Sequence, residues 1–196
     1  MFHDIPESVI AQMRRLETLD AADRQDGTPR LQRLRQVSHE TGQFLAILAA
    51  GAPRGAVIEI GTSGGYSTLW LAIACALRGD RIKTFEILPE KVKLARRTFE
   101  GAGVLRRVHL VEGDARDHLS EQTGIAFCFL DAEKDIYEEC YELIVPSLVA
   151  GGILVADNVI SHQDELGSFV QAARLDAKVD SVIVPLGQGL LVSRRC

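Results

Sequence analysis

Apolar side chains recur at helical spacing over residues 5–24, where Ile5, Val9, Ile10, Met13, Leu16 and Leu19 share one face before Gly27-Thr28-Pro29 breaks the period. The pattern predicts an amphipathic leading helix. A second helix is predicted to start near Ser38, a capping residue, with Phe44, Leu45, Leu48 and Ala49 on its buried side and Gly51 and Pro53 at its end. After Gly55 short β-rich runs at 56–60, 81–86, 107–111, 125–130 and 152–156 alternate with helical stretches at 66–77, 89–102, 135–148 and 164–175. Such alternation predicts a parallel sheet with helices on both faces. The runs 179–185 and 190–193 are joined only by Leu186-Gly187-Gln188-Gly189, too short for a crossover helix, so they predict an antiparallel hairpin. The expected architecture is a Rossmann-like α/β fold: a mostly parallel seven-stranded sheet ending in an antiparallel hairpin, with amino-terminal helices. With no repeat or flexible linker, residues 1–196 are expected to form one domain, 1–55 as a helical cap and 56–196 as the α/β core.

Composition narrows the functional classes. The chain is 46% hydrophobic, enough for one sizeable core, and its net charge of -5 gives no general attraction to nucleic acid or anionic membrane. The first residues lack the basic start, apolar core and small-residue cleavage site of a secretory leader, and no apolar run nears the ~18 residues of a membrane span, so neither is expected. A cytoplasmic location is the expectation. Cys75, Cys128, Cys140 and Cys196 form no CxxC pair and are expected to stay reduced.

The segment from Val57 to Ser67 reads as a buried strand, a glycine-rich turn and the start of a helix. Glycines let a backbone approach a ligand closely, so missing side chains at Gly61, Gly64 and Gly65 are expected to leave space for a cofactor at the strand ends. Glu86 ends the next strand, 21 positions after Gly65, where an acid can accept hydrogen bonds from ribose hydroxyls. Asp114 follows the third strand, placed to meet an adenine amino group. Each acid alone is more often a solvated loop residue or helix cap than a ligand; together, at three successive strand ends, they point to a nucleoside cofactor. A nicotinamide dehydrogenase would normally show GxGxxG, but Ser63 stands at the second glycine position and the terminal hairpin replaces a parallel strand.

Asp131 lies at the end of the fourth strand and Asp157-Asn158 at the end of the fifth. The three offer an oxygen-only cluster suited to a hard divalent ion such as Mg²⁺, against the plainer reading of a helix cap and a turn.

With these residues in place, the sequence resembles the cation-dependent class I O-methyltransferase family that includes catechol and caffeoyl-coenzyme A O-methyltransferases. The resemblance rests on Glu40-Thr41-Gly42-Gln43-Phe44-Leu45, on the turn from Glu59 to Ser67, on the motif from Asp131 to Tyr137, and on the strand at 151–158 and the hairpin at 185–195. It implies S-adenosylmethionine as cofactor, with Glu59, Gly61 and Ser67 along its methionine portion, Glu86 at the ribose and Asp114-Ala115 at the adenine. Val37 to Glu40 would cover it, with Ser63, Gly65 and Asp131 completing its surroundings. It implies Mg²⁺ held by Asp131, Asp157 and Asn158, Lys134 as the catalytic base, a small hydroxylated acceptor, and a homodimer. The plant members carry a long insertion after the Asp-Asn pair, whereas here Val159-Ile160-Ser161-His162 leads straight into a helix. The resemblance therefore speaks to cofactor chemistry more than to acceptor identity.

Three further readings stay open at this stage. His162 and His39 are candidate acceptor contacts or plain surface histidines. The arginines 14, 15, 30, 33 and 35 would serve a transfer-RNA methyltransferase or lie on a solvated face. A cofactor-binding protein without turnover is the third.

Overall fold

The computed structural model describes residues 1–196 and contains seven strands in one sheet, ordered β3-β2-β1-β4-β5-β7-β6. The strands are β1 (Ala56–Ile60), β2 (Ile82–Glu86), β3 (Val108–Glu112), β4 (Ile125–Leu130), β5 (Leu148–Ala156), β6 (Val179–Val184) and β7 (Leu190–Arg195). The first five pair in parallel, and β7 runs antiparallel to both β5 and β6. Strand order reverses at β1 and β4, which places their carboxyl ends at the crevice where doubly wound sheets bind ligands.

The helices are α1 (Glu7–Asp23), α2 (His39–Gly51), α3 (Tyr66–Arg78), α4 (Pro89–Ala102), α5 (Arg116–Leu119), α6 (Tyr137–Ile144) and α7 (Gln163–Leu175). Each begins or ends for a local reason. The Ser38 hydroxyl accepts the Thr41 amide at 3.2 Å and starts α2. Proline opens α4, and left-handed glycines at 79 and 103 close α3 and α4.

Alternation along the strands divides the core in two. Val57, Phe127 and Phe129 turn toward α1, α2, α3 and α4, while Ile58, Cys128 and Leu130 turn toward α5, α6 and α7. β4 is buried at all six positions, as a central strand covered on both faces must be. The amino-terminal helices thus bury Val9, Met13, Leu16, Leu45 and Ala49 in the same cluster as α3 and the sheet.

Two expectations about elements are corrected. The helix foreseen at 135–148 is a 3-10 turn at Lys134–Ile136, a short α6 and a second 3-10 turn at Val145–Ser147. Pro146 cannot donate to a continuing helix, and the chain turns into β5 four residues earlier than foreseen. That early part of β5 runs through Gly151 and Gly152, where pairing with β4 shifts register, so alternation is invisible in sequence there.

Candidate active site

Backbone pairing continues one residue beyond the strands. The amides of Gly113, Asp131 and Asp157 donate to the carbonyls of Glu86, Ile60 and Leu130 at 2.9, 2.9 and 3.0 Å, which sets the following side chains on one rim. A cleft of about 1050 Å³ opens above it. Val37, Gly61, Ser63, Ser67, Glu86, Asp114, Ala115, Asp131, Lys134, Asp157 and Asn158 all line this cleft; Glu59 and Gly65 do not.

On the side assigned from sequence to the nucleoside, the turn after β1 differs from expectation. Gly61 has φ 98°, and a Cβ there would stand 1.9 Å from the Asp131 carbonyl oxygen; one at Gly65 would stand 2.6 Å from the Phe99 ring. A side chain at either glycine would meet the protein itself, so their absence lets the ends of β1 and β4 and helix α4 come together.

Glu59 is the second correction. Period-two alternation puts it on the same face as Val57, beneath α3, where it is fully buried. Its Oε2 accepts from the hydroxyls of Thr68 and Thr84, the latter at 2.6 Å, and Oε1 has no partner. Burial pushes this carboxyl up to about 7.

Glu86 stands where the sequence placed it. The Ser63 amide donates to Oε2 at 2.7 Å and the Leu88 amide to Oε1 at 2.9 Å, and the left-handed backbone of Ser63 (φ 49°) accompanies that contact. Each oxygen keeps a lone pair for a further donor. Asp114 is both cap and wall: its Oδ1 accepts the Arg116 amide at 2.9 Å, and the Arg116 guanidinium grips its Oδ2 at 2.6 Å while reaching Glu139 at 2.8 Å. The hydrogen bond from the Arg116 side chain holds the Asp114 carboxyl below its ordinary range. Val37, Ser38 and His39 also line the cleft, but Glu40, in the first turn of α2, is exposed and off the wall.

On the other side of the cleft two of the three proposed metal ligands, Asn158 and Asp131, meet the Lys134 ammonium, and the third, Asp157, lines the same cleft. Lys134 Nζ donates to Asn158 Oδ1 at 2.6 Å, to the Ala132 carbonyl at 2.8 Å and to the Tyr137 hydroxyl at 2.8 Å, and lies 3.6 Å from Asp131 Oδ1. All three of its N–H groups are engaged. Asp157 is 4% exposed and its Oδ1 has no partner. Burial drives the carboxyls of Asp131 and Asp157 up and the Lys134 ammonium down, the last against the pull of both acids. Asn158 adopts φ 65°, a conformation that asparagine tolerates better than most residues.

This donor set fits a hard cation. Two carboxylates and a carboxamide oxygen converge, one oxygen lacks a partner, and the lysine ammonium stands in for the positive charge. No group of three His, Cys, Asp or Glu residues gathers here to hold a metal.

Residues 24–38, between α1 and α2, cross the nucleoside side as a strap. Asp23 Oδ2 accepts the Leu34 amide at 2.6 Å, Asp20 Oδ1 the Gln36 amide at 3.2 Å, and the Ser63 hydroxyl donates to the Leu34 carbonyl at 2.8 Å. Arg35 pairs with Glu133, tying the strap to the loop that carries Asp131 and Lys134. The arginines noted in sequence are engaged within the chain: Arg30 also faces Glu133 at 4.0 Å, Arg33 donates to the Thr28 carbonyl, and Arg14 and Arg15 meet Glu7 and Gln12. His39 packs edge-on against Trp70, and His162 Nδ1 lies 2.9 Å from the Ser161 hydroxyl; both histidines line the cleft. Sequence reading missed the strap, whose ties are isolated carboxylate–amide contacts with no periodicity. It also missed Lys91, a buried lysine on the wall.

A sequence model of the O-methyltransferase family matches residues 12–196. Over 126 residues the chain is 38% identical to a catechol O-methyltransferase of Mycobacterium tuberculosis, covering 63% of this chain and 57% of that protein. Over 129 residues it is 35% identical to a catechol O-methyltransferase of Niastella koreensis, covering 63% and 58%. Both alignments thus span less than two thirds of the relatives' length. The crystal structure of the O-methyltransferase TomG from Streptomyces achromogenes, solved with S-adenosylmethionine, superposes with a TM-score of 0.77 at 25% identity, covering 92% of this chain and 88% of that one.

Proposed function

The chain belongs to the O-methyltransferase family, and from that premise we propose that it transfers the methyl group of S-adenosylmethionine to a hydroxyl of a small catechol-like acceptor, with Mg²⁺ held by Asp131, Asp157 and Asn158. One observation carries this reading. Asn158 and Asp131 meet the Lys134 ammonium at one end of the cleft, beside a buried Asp157 oxygen without a partner, while Glu86 stands oriented by two backbone amides at the other.

Methyl transfer from a sulfonium is an in-line displacement in which the C–O bond forms as the C–S bond breaks, so the chain's first task is alignment. Glu86 would bind the ribose, Asp114 and Ala115 the adenine, and Gly61, Ser63 and Ser67, under Val37, the methionine portion. When bound, the cation would lower the pKa of the acceptor hydroxyl and anchor two vicinal oxygens. Lys134 would take the hydroxyl proton. Its three donors are already engaged, so it must give up the Asn158 contact and lose its own proton to do so, and burial favours that neutral form. His39, His162 and Gln188 would face the acceptor.

The reading takes the chain as one domain with 1–55 as its cap, as a cytoplasmic protein, and as a homodimer formed through the amino-terminal helices and the hairpin, where Ile47 and Val182 are exposed. No helix is long and apolar enough to cross a membrane. Sedimentation equilibrium at micromolar concentration tests the dimer, and a monomer there rejects it. The activity itself is tested with methyl-labelled S-adenosylmethionine, Mg²⁺ and a catechol. Label in a monomethylated catechol supports the reading; cofactor binding without transfer to any of a panel of hydroxylated acceptors overturns it in favour of a binding protein.

A further inference from the structure

The cleft wall carries, a few residues after Glu86, a cation with no salt-bridge partner in the chain. Lys91 sits in the first turn of α4, is 5% exposed and lines the cleft. It takes part in none of the salt bridges. By contrast Lys83 donates to Gln122 and Lys134 to Asn158.

Stability does not explain this placement. Lys91 Nζ is not among the fully buried polar atoms that lack a partner, so it reaches the solvent of the cleft; burying most of a lysine with no salt-bridge partner is still costly, and a cation in the first turn of a helix opposes the positive end of the helix dipole. Burial lowers the Lys91 pKa, and among the surrounding charges the Glu86 carboxylate opposes that most, with Arg35 acting alongside burial and Glu133 and Asp131 against it. The ammonium therefore sits in the field of the acid assigned to the ribose. Glu86 can only accept hydrogen bonds. A hydroxyl that gives its proton to Glu86 turns its own oxygen lone pairs outward, where they need a donor.

We propose that Lys91 is a second ribose-reading residue, its ammonium donating to the oxygen of a ribose hydroxyl whose proton goes to Glu86. This rests on the cofactor reading above. The pair then recognises a hydroxyl by both its proton and its lone pairs. A site built that way rejects an analogue lacking the hydroxyl more strongly than either residue could alone.

The test measures calorimetric affinities of wild type, Lys91→Met and Lys91→Gln for S-adenosylhomocysteine and for its 2′-deoxy and 3′-deoxy analogues, together with the melting temperature of each ligand-free protein. Lys91→Met is expected to weaken S-adenosylhomocysteine about ten-fold or more, since a charge-assisted hydrogen bond is lost. For one of the two deoxy analogues that loss should shrink to less than about two-fold. Lys91→Gln should recover part of the affinity, and ligand-free Lys91→Met should melt no lower than wild type. Affinity of Lys91→Met within about two-fold of wild type overturns the inference, as does an equal loss for all three ligands. Wild type failing to bind S-adenosylhomocysteine would overturn the cofactor reading, and this inference with it.

Discussion

On the β1–β2 side of the cleft, Glu86 is fixed by the amides of Ser63 and Leu88, groups that belong to the main chain and cannot leave. On the β4–β5 side, Asn158 and Asp131 are held by the side chain of Lys134, a flexible four-carbon stem, and one oxygen of the neighbouring Asp157 is left without a partner. The first side is preorganised, with its remaining lone pairs aimed at a ligand. The second is closed on the Lys134 ammonium, which the proposed Mg²⁺ would have to displace from Asn158. The contrast assigns them different work: the β1–β2 side should govern affinity for the cofactor, and the β4–β5 side should govern turnover.

The sharpest break of that contrast is Asp157→Ala. Turnover is expected to fall about a thousand-fold or more while affinity for S-adenosylhomocysteine stays within about three-fold, read by steady-state kinetics and calorimetry on the same preparation. A parallel fall in both would merge the two sides into one. Lys134→Met comes next. Loss of a positioned base predicts a fall in kcat of about a hundred-fold with little change in cofactor affinity.

Glu86→Gln tests the other side. It keeps the shape but removes charge, so the Kd for S-adenosylhomocysteine should rise about ten-fold or more, with kcat at saturating cofactor little changed.

The same contrast separates what could be read in sequence from what could not. Strands β1 and β4 and helix α4 begin and end where their patterns predict, because β4 is apolar throughout and α4 has a proline at its start and a glycine after its end. Glu86 and the Asp131, Asp157 and Asn158 set were legible because each lies at a strand end, where topology brings distant residues together. Glu59 was misplaced because a polar residue inside a strand says nothing of which face it takes until α3 is docked over it. Lys91 and the strap left no periodic signal: a single lysine in an amphipathic helix looks solvated until the fold closes around it. Helix α5 has four residues, too few for a period to show.

Glu59 also gives a stability test apart from the chemistry. Its carboxyl, pushed up to about 7 in the folded chain, stays protonated there while the unfolded chain ionises from an ordinary value near 4.5. Its contribution is therefore fully present below that unfolded value and is lost as pH rises toward 7. Glu59→Gln should remove this dependence. The variant should gain on wild type by about 1–3 kcal/mol between acid and neutral pH in denaturant titrations, and a difference independent of pH would contradict the raised carboxyl.

The smallest expected effect joins the two sides. Arg35 and Glu133 have side chains 34% and 41% exposed, and pairs that open to solvent contribute only ~0–1 kcal/mol. Arg35→Ala should speed release of S-adenosylhomocysteine about two- to five-fold in stopped-flow measurements, and an unchanged rate would remove this pair from holding the strap.

The central claim is that the β4–β5 side works through a divalent cation while the β1–β2 side binds cofactor without it. The direct measurement is turnover of one catechol, with S-adenosylhomocysteine affinity read alongside, after exhaustive chelation and again after Mg²⁺ is restored. Turnover lost on chelation and regained with Mg²⁺, at constant cofactor affinity, is the predicted result, whereas equal turnover in the two samples would contradict it.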